Sequence, residues 1–328
     1  MLVYMLLFVA VIIICIYTII IFFSHQPREP TLSELTYTTN DPTNEHYKLP
    51  DRINSRTSEY RDDAIQLSVV IPCFNETQRL GKMLDECIEH LNTNYPSKYE
   101  IIIVDDGSSD KSDEFALKKA DEFHLKPHVM RVVKLSKNRG KGGAVTHGLL
   151  HSRGKYSLFA DADGATKFSD VDKLVAYLSS VDSKKPAIAI GSRAHMVDTD
   201  AVVKRSFIRN FLMYGLHTLV YIFGIRNIQD TQCGFKMFNF QSVSSIFPHM
   251  HTERWIFDVE VLLLGELQKM SMKEIPVNWQ EVDGSKIDIA KDSIGMAIDL
   301  VVTRLAYLLG IYKLDECGKL NSNNKKFD

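Results

Sequence analysis

Short apolar runs alternate with stretches of helical period from residue 67 onward. The apolar runs are Leu67–Ile71, Ile101–Val104 and Val129–Leu135, and the helical stretches between them are Leu80–Leu91 and Lys111–Phe123. Nearly continuous apolar runs are typical of strands that are covered on both faces, as in a parallel sheet. The order therefore predicts a β-α-β-α-β arrangement, that is, an α/β domain with a parallel sheet.

Two further strands are predicted at Ser157–Ala160 and Ala187–Ile190. The first leads into an acidic cluster and the second into Gly191-Ser192-Arg193. Because ligands bind at the carboxyl edge of open α/β sheets, these strand ends are the first places to look for a site.

The first residues are apolar without interruption. Leu2 to Phe23 carries no charged side chain, and a helix of that length spans about 33 Å, enough for a bilayer core. A cleaved signal peptide is the alternative, but the run is too long and lacks a basic n-region and a cleavage site. We therefore predict an N-terminal transmembrane helix, whose orientation the single nearby Arg28 leaves weakly defined.

The rest of the chain divides by composition. Residues 24–66 are polar and contain four prolines, which predicts a linker or stalk between the anchor (1–23) and the main domain (67–290). Residues 291–328 are predicted to form a C-terminal interfacial helix and a polar tail. Two later apolar segments, Phe207–Phe223 and Met296–Tyr312, fit interfacial helices and core helices equally well.

Composition narrows the class of protein. The 328 residues are 45% hydrophobic, with a formal charge of −2. These values fit a folded domain and argue against nucleic acid as a partner. The five cysteines form no C-x-x-C pair, so we expect reduced thiols rather than a zinc site or a disulfide framework.

The strongest chemical signal is Asp161-Ala162-Asp163, directly after a predicted buried strand. Two carboxylates at this spacing suit a hard cation such as Mg²⁺ or Mn²⁺, with positions left for diphosphate oxygens. Asp161 and Asp163 are therefore the predicted metal ligands. An isolated D-x-D pair is more often a turn or a helix cap, so its context decides.

That context consists of three loops. Pro72, Asn75 and Glu76 follow the first strand, and Asp105 and Asp106 follow the second. These side chains suit a uracil-ribose unit, although Asp-Asp-Gly-Ser-Ser also fits a turn before a capped helix. The third loop, Lys137-Asn-Arg-Gly140-Lys-Gly-Gly143, offers cations and close backbone approach to phosphate, and it does not match a Walker loop.

The ordered set resembles glycosyltransferase family 2, inverting enzymes of the GT-A type, over about residues 67–290. Within that family the runs Phe159–Lys167, Asp230–Lys236 and Arg254–Glu260 resemble the eukaryotic enzymes that move glucose from UDP-glucose to dolichyl phosphate. The resemblance implies a GT-A, Rossmann-like nucleotide-sugar-binding fold, in which a mixed, mostly parallel sheet is flanked by helices. It also implies a single anchor in the endoplasmic reticulum membrane, a cytosolic catalytic domain, and a product that serves as the lipid-linked glucose donor for protein N-glycosylation.

The resemblance also implies roles for individual residues. Those of the first two loops would line the nucleoside pocket, Asp161, Ala162 and Asp163 would lie at the metal and diphosphate, and Trp255 would cover the donor. The implied catalytic and phosphate-contacting residues are Asp163, Arg193, Gln232, Arg254, Asp258, Lys137 and Gly140. One position departs from related mannosyl enzymes, which often place Gln where this chain has Ala165, so a third metal ligand is in doubt.

Chemistry constrains the acceptor step. A dolichyl phosphate oxygen is already anionic near neutral pH, so it needs no general base. Single displacement would convert an α-linked donor into a β-linked product. The resemblance implies that Asp258 or Glu260 would serve as a base if the acceptor were a hydroxyl group. With a phosphate acceptor, a structural or positioning role for these residues is at least as well supported. Cations that would hold the anionic acceptor are Lys137, Arg139, Arg193, Lys204, Arg205, Arg209 and Arg254.

Several alternatives stay open. The same machinery fits another polyprenyl-phosphate glycosyltransferase, for example one that uses GDP-mannose, or a non-catalytic membrane protein that binds nucleotide sugars. A polysaccharide synthase is disfavoured because Q-x-x-R-W is absent. The segment Trp279–Lys286 fits either a loop that orders on donor binding or a surface loop. Lys325 and Lys326 have the spacing of a retrieval signal, and the sequence leaves the oligomeric state open.

Overall fold

The computed structural model describes residues 1–43, 45–50, 65–196, 215, 225–282, 284 and 289–314. Two short strands, β1 (Thr36–Tyr37) and β2 (Tyr47–Lys48), form an antiparallel ribbon. The main strands are β3 (Leu67–Cys73), β4 (Tyr99–Asp105), β5 (Met130–Lys134), β6 (Tyr156–Ala160), β7 (Ala187–Ser192), β8 (Phe235–Asn239) and β9 (Ser271–Pro276).

Within the described residues these strands form a seven-stranded sheet in the order β5-β4-β3-β6-β8-β7-β9. β8 runs antiparallel to both of its neighbours, and the other neighbouring strands pair in parallel. The predicted mixed, mostly parallel sheet is confirmed. The carboxyl ends of β3, β4, β5, β6, β7 and β9 therefore meet at one edge, together with the amino end of β8.

Helices cover both faces of the sheet. The helices of the main domain are α2 (Leu80–Asn94), α3 (Ser112–Glu122), α4 (Lys141–Leu150), α5 (Val171–Ser180), α6 (Phe240–Ile246) and α7 (Phe257–Leu267). Outside the sheet layers lie the N-terminal helix α1 (Leu2–Phe23), which is almost entirely exposed, and α8 (Ile289–Leu308), which packs on α1 and α7. Alternate residues of β3 point to different cores: Val69 packs with α2 residues such as Leu84, whereas Val70 packs with Val145 of α4. Burial on both faces explains why these strands read as continuous apolar runs.

Residues 25–43 and 45–49 pack on the main domain, although the sequence predicts a linker for 24–66. Thr38 pairs with Val132 of β5, and Leu49 is buried in the core on the α4 face. Glu34 is fully buried and hydrogen-bonded. The segment is held largely by polar contacts, which a search for apolar residues does not detect. We call residues 25–49 the strap; residues 51–64 lie outside the described part.

The N-terminal helix is the candidate membrane span among the described residues. α1 is 22 residues long, strongly apolar and almost entirely exposed, so its length and composition suit a bilayer. Its last turns meet α8, where Ile20 packs against Val302 and Ala306. The segment Phe207–Phe223, apart from Gly215, lies outside the described residues, as does the tail with Lys325 and Lys326.

Candidate active site

The turn after β6 carries the two predicted metal ligands. The backbone N–H of Asp161 donates to the Gly234 carbonyl (3.0 Å), which ties the turn to the amino end of β8. A Cβ at Gly234 would lie 1.9 Å from Oδ2 of Asp161. The Asp161 carboxylate therefore lies directly against a backbone position that only glycine can occupy without displacing it.

A lysine contacts this carboxylate pair. Nζ of Lys141, the first residue of α4, lies 2.7 Å from Oδ1 of Asp161 and 5.8 Å from the centre of the Trp255 ring. Oδ1 of Asp163 accepts a hydrogen bond from the Ala165 N–H (3.0 Å), which orients the Asp163 carboxylate. Burial, with a further contribution from the charge of Asp161, raises the pKa of Asp163. The pair is therefore a region of concentrated negative charge that favours a cation.

These residues fit a divalent metal. Asp161 and Asp163 supply hard oxygen donors at a strand end, the chemistry that Mg²⁺ and Mn²⁺ prefer. Ala165 adds no donor, and among the described residues no group of three or more His, Cys, Asp or Glu side chains has the arrangement of a metal site. A metal held by these two carboxylates would take its other ligands from diphosphate and water.

The loops after β3 and β4 brace one another. Oδ1 of Asn75 accepts the Ser109 N–H (2.8 Å), and the Asn75 N–H donates to Oγ of Ser108 (2.9 Å). Oδ1 of Asp105 accepts the Ser108 N–H (2.9 Å), but its buried Oδ2 has no partner among the described residues. Burial raises the pKa of Asp105. Its Oδ2 is a ready acceptor for a ligand N–H or O–H group.

Asp106 fixes the loop before α4. Its two carboxylate oxygens accept the N–H groups of Arg139 (2.7 Å) and Gly140 (2.9 Å). Burial raises its pKa to about 7. Asp106 therefore acts on the site by shaping this loop, which leads directly into Lys141.

Two of the residues predicted to line the nucleoside pocket have roles in the structure of the first loop. Glu76 forms a bidentate ion pair with Arg79 (2.8 and 2.6 Å). Pro72 lies within β3, opposite Val104. Glu76 and Pro72 therefore shape the first loop, while Asp105 offers an unpaired acceptor oxygen.

Arg193 lies at the end of β7 and is held by Asp230. The guanidinium donates to both Asp230 oxygens (2.7 and 2.8 Å), and this pairing raises the pKa of Arg193 against the effect of burial. Its Cζ lies 5.4 Å from the centre of the Trp279 ring. The Gln280 N–H donates to the Ala165 carbonyl (2.8 Å), so the described part of the Trp279–Lys286 segment packs on the turn that follows Asp163.

The remaining predicted residues surround the start of α7. Trp255 is partly buried near Lys141, and Gln232 is partly buried just before β8. Asp258 is buried and ion-paired with the equally buried Lys236. This pairing favours the positioning role for Asp258 over that of a free base.

Two predicted residues lie toward the strap rather than at the carboxylate pair. Arg254 and Lys137 are exposed, and they line a separate cavity that also contacts Gly140. Lys204, Arg205 and Arg209 lie outside the described residues.

Sequence reasoning did not single out Lys141, Lys236 or Gly234. All three belong to motifs that it noted, the Lys137–Gly143 loop and the Asp230–Lys236 run. Their roles depend on contacts with Asp161 and Asp258, which are far away in sequence. In the sequence, these three residues are marked only by their positions: Lys141 begins a helix, and Gly234 and Lys236 lie at one end of a strand.

A Rossmann-like sheet with an Asp-x-Asp turn and phosphate-compatible loops at one edge defines a nucleotide-sugar-dependent glycosyltransferase of the GT-A type. Residues 68–247 match the family model described as glycosyl transferase family 2, and the chain belongs to this family.

Curated relatives narrow the class. The chain is 53% identical over 310 residues to a dolichyl-phosphate beta-glucosyltransferase of Saccharomyces cerevisiae, covering 92% of each chain. It is 44% identical over 262 residues to the enzyme of that name from Homo sapiens, covering 78% of this chain and 80% of that one. A solved structure of glucosyl-3-phosphoglycerate synthase from Mycobacterium tuberculosis with UDP shares the fold, with a TM-score of 0.50, 18% identity, and coverage of 81% and 86%.

Proposed function

We propose that this protein transfers glucose from UDP-glucose to dolichyl phosphate, giving dolichyl β-D-glucosyl phosphate and UDP. The observation that carries the proposal is the cluster of Asp161, Asp163 and Lys141 at the carboxyl edge, in a chain that aligns over 92% of its length with the dolichyl-phosphate beta-glucosyltransferase of Saccharomyces cerevisiae. The name of that relative supports the choice of acceptor and sugar, and the residues at this edge support the reaction.

The donor would occupy the edge between β4 and β6. Oδ2 of Asp105, which is buried at the end of β4 and has no partner among the described residues, would accept a hydrogen bond from the nucleoside. Asp161 and Asp163 would hold Mg²⁺ or Mn²⁺, which when bound stabilises the diphosphate as it leaves. Lys141 can turn its ammonium group from Asp161 to a diphosphate oxygen, where it adds charge stabilisation.

The acceptor requires no proton transfer. A phosphate oxygen of dolichyl phosphate forms a bond to the anomeric carbon while the bond from that carbon to the diphosphate breaks, and the electron pair leaves with UDP. One displacement inverts an α-linked donor to a β-linked product. The ion pair between Asp258 and Lys236 agrees with this scheme, because no residue has to act as a free base.

The membrane arrangement extends the proposal. α1 would anchor the enzyme in the endoplasmic reticulum membrane with the catalytic domain in the cytosol. α8 presents an apolar stripe (Ile294, Ile298, Val301, Leu305 and Leu308), exposed at Ile294, Ile298 and Leu308, and it continues from the contact with α1. We propose that this stripe faces lipid, in the manner of an interfacial helix.

The test is transfer of labelled glucose by the purified full-length protein into dolichyl phosphate, with Mg²⁺, with Mn²⁺ and with a chelator. We expect metal-dependent glucolipid that Asp163→Asn reduces by at least about a hundredfold. The matched control is Asp121→Asn, an exposed aspartate of α3, which should retain full activity.

The alternatives have distinct outcomes. Product from GDP-mannose but not from UDP-glucose would retain the reaction class and refute glucose as the sugar. Absence of lipid product from either donor, with UDP-glucose still bound, would favour a non-catalytic nucleotide-sugar-binding protein.

A further inference from the structure

A cavity of about 460 Å³ lies beside the carboxylate site on the side of the membrane anchor. Its walls come from three places in the chain: the residues directly after α1, the loop before α4 and the loop before α7, with one residue of α8. We call it the anchor-side pocket, and its charged lining includes His25, Arg28, Lys137, Arg139, Arg254 and Asp299.

The pocket lies between the anchor and the donor site. α1 ends at Phe23, so His25 and Arg28 follow a span by only a few residues and belong at headgroup depth. On the other side, Gly140 and Arg254 line the pocket, while the residues that follow them, Lys141 and Trp255, approach one another at Asp161. One wall is therefore shared with the site of the reaction.

The acidic groups of the pocket already have cationic partners. Oδ1 of Asp299 lies 3.1 Å from Nε2 of His25, and Oε1 of Glu253 accepts a hydrogen bond from Nε of Arg139 (2.7 Å). Arg28 pairs with Glu34, which lies outside the pocket lining.

Two cations are left without a carboxylate partner. Lys137 and Arg254 are both exposed and neither forms an ion pair with another described residue. The pocket thus has two uncompensated positive charges close to the expected headgroup layer. A phosphate monoester, which carries up to two negative charges and several acceptor oxygens, matches this arrangement in charge and in hydrogen bonding.

We propose that the anchor-side pocket receives the phosphate of the lipid acceptor as it enters from the bilayer, with Lys137 and Arg254 contacting that phosphate. The polyprenyl chain would leave toward the junction of α1 and α8. This inference rests on the proposed function, since it assigns an entry site to the acceptor of that reaction. It differs from the donor site in using the strap and the anchor end.

The direct test is equilibrium binding of radiolabelled dolichyl phosphate to the full-length protein in detergent micelles, without donor. We expect Lys137→Gln and Arg254→Gln each to weaken binding about tenfold, the effect of losing one charge-assisted hydrogen bond. The double variant should lose more. The matched control is Lys126→Gln, an exposed lysine on the loop after α3, which should bind as the unmodified protein does.

Steady-state kinetics on the same proteins separates the two proposals. We expect the KM for dolichyl phosphate to rise about tenfold in Lys137→Gln while the KM for UDP-glucose stays within twofold. Unchanged acceptor binding and KM in both single variants would overturn the pocket assignment. Acceptor binding that depends on Lys137, without any glucolipid formed, would instead refute the proposed reaction alone.

A third arm distinguishes the acceptor from bulk phospholipid. If the pocket selects the monoester, added phosphatidylserine should not displace dolichyl phosphate at equal mole fraction. Displacement that vanishes in Lys137→Gln would mean that the pocket binds anionic phospholipid headgroups, and the assignment to the acceptor would be wrong.

Discussion

At the scale of single residues, the position of Asp161 depends on the absence of a side chain at Gly234. The ideal Cβ of an alanine there would lie 2.2 Å from Cγ of Asp161, so the carboxylate must move. Displacements of about 1 Å at reacting groups cost about a hundredfold in rate. We expect Gly234→Ala to lower kcat by about that factor while the protein remains folded, as measured by glucolipid formation and thermal unfolding.

The matched control for this prediction is Gly295→Ala. Gly295 lies within α8, and a Cβ there meets no heavy atom within 4 Å. Alanine also has the higher helix propensity. Activity should be unchanged and thermal stability equal or slightly higher. Full activity in Gly234→Ala would show that Asp161 does not need its present position.

His147 makes stability depend on pH. Its Nε2 donates to the Glu34 carbonyl (2.8 Å), and burial lowers its pKa to about 3. The unfolded chain protonates histidine near pH 6.5, so between about pH 6.5 and 3 the unfolded state binds the extra proton. The contribution to stability is therefore complete above pH 6.5 and is lost as the pH falls toward 3, by at most about 1.4 kcal/mol per pH unit.

His147→Gln should remove this slope, because the glutamine amide can donate to the same carbonyl and does not titrate. The measurement is denaturant unfolding of the detergent-solubilised protein from pH 4 to 7, and the stability of the unmodified protein relative to the variant should decrease as the pH falls. A matched control is His124→Gln, an exposed histidine after α3. Parallel curves for His147→Gln and the unmodified protein would contradict the burial argument.

Local sequence signals predicted the residues of the strand ends well but not their partners. The Asp161-Ala162-Asp163 turn was recognisable because polar residues interrupt an apolar run. Lys141 was not, because its pairing with Asp161 is created by the crossover that brings the start of α4 to the end of β6. Arg254 and Trp255 are adjacent in sequence, but Arg254 is exposed and Trp255 is partly buried. The difference arises because Trp255 packs where α7 meets α8, a contact that the sequence does not reveal.

At the scale of elements, the strap links the anchor to the loop that leads into Lys141. Oε1 of Glu34 accepts both the N–H and Oγ–H of Ser136 (2.7 Å each), and it also pairs with Arg28. The guanidinium of Arg139 donates to the Arg28 carbonyl (2.7 Å). The segment predicted as a linker is thus a support for the 136–140 loop, whose backbone is fixed at its other end by Asp106.

Glu34→Ala should therefore affect both stability and the donor site. It leaves the Ser136 N–H and Arg28 without their acceptor, a loss of about 2–4 kcal/mol. We expect a lower denaturation midpoint and a KM for UDP-glucose raised several-fold, with Glu34→Gln intermediate because its amide oxygen still accepts.

Glu29→Ala tests whether any glutamate of the strap has this effect. Its side chain is exposed, so both midpoint and KM should stay unchanged. If Glu34→Ala lowers stability but leaves the KM for UDP-glucose unchanged, the role of the strap is purely structural.

The fold itself was predictable where the burial of apolar side chains determines the sequence pattern. Apolar periodicity predicted the strands β3 to β7 and the helices α2 and α3 in their order, and the family resemblance supplied the sheet type. The antiparallel direction of β8 could not be predicted, since its residues Phe235–Asn239 are as fully buried as those of β6, which pairs in parallel with β3. The pattern of apolar residues indicates that a strand is buried but not whether it runs parallel or antiparallel to its neighbours.

At the scale of the whole molecule, the proposed reaction joins a soluble donor to a lipid acceptor, so the catalytic edge has to lie close to the bilayer. The contact of Ile20 with Val302 and Ala306 fixes α8 against the end of the candidate span. This contact, together with the packed strap, would keep the domain close to the membrane. The stripe from Ile294 to Leu308 would then be held at the depth of the headgroups and upper acyl chains.

This orientation is testable with spin labels in vesicles. A nitroxide on Ile298→Cys, with Cys15 and Cys317 replaced by serine, should collide more often with oxygen, which partitions into lipid, than with a water-soluble nickel chelate. A label on Lys126→Cys, on the loop after α3, should show the opposite preference. Because the stripe is apolar along its whole length, a label on Ile294→Cys should agree with Ile298→Cys. If both stripe positions instead favour the nickel chelate, the membrane does not cover α8, and an acceptor would have to leave the bilayer to reach Asp161.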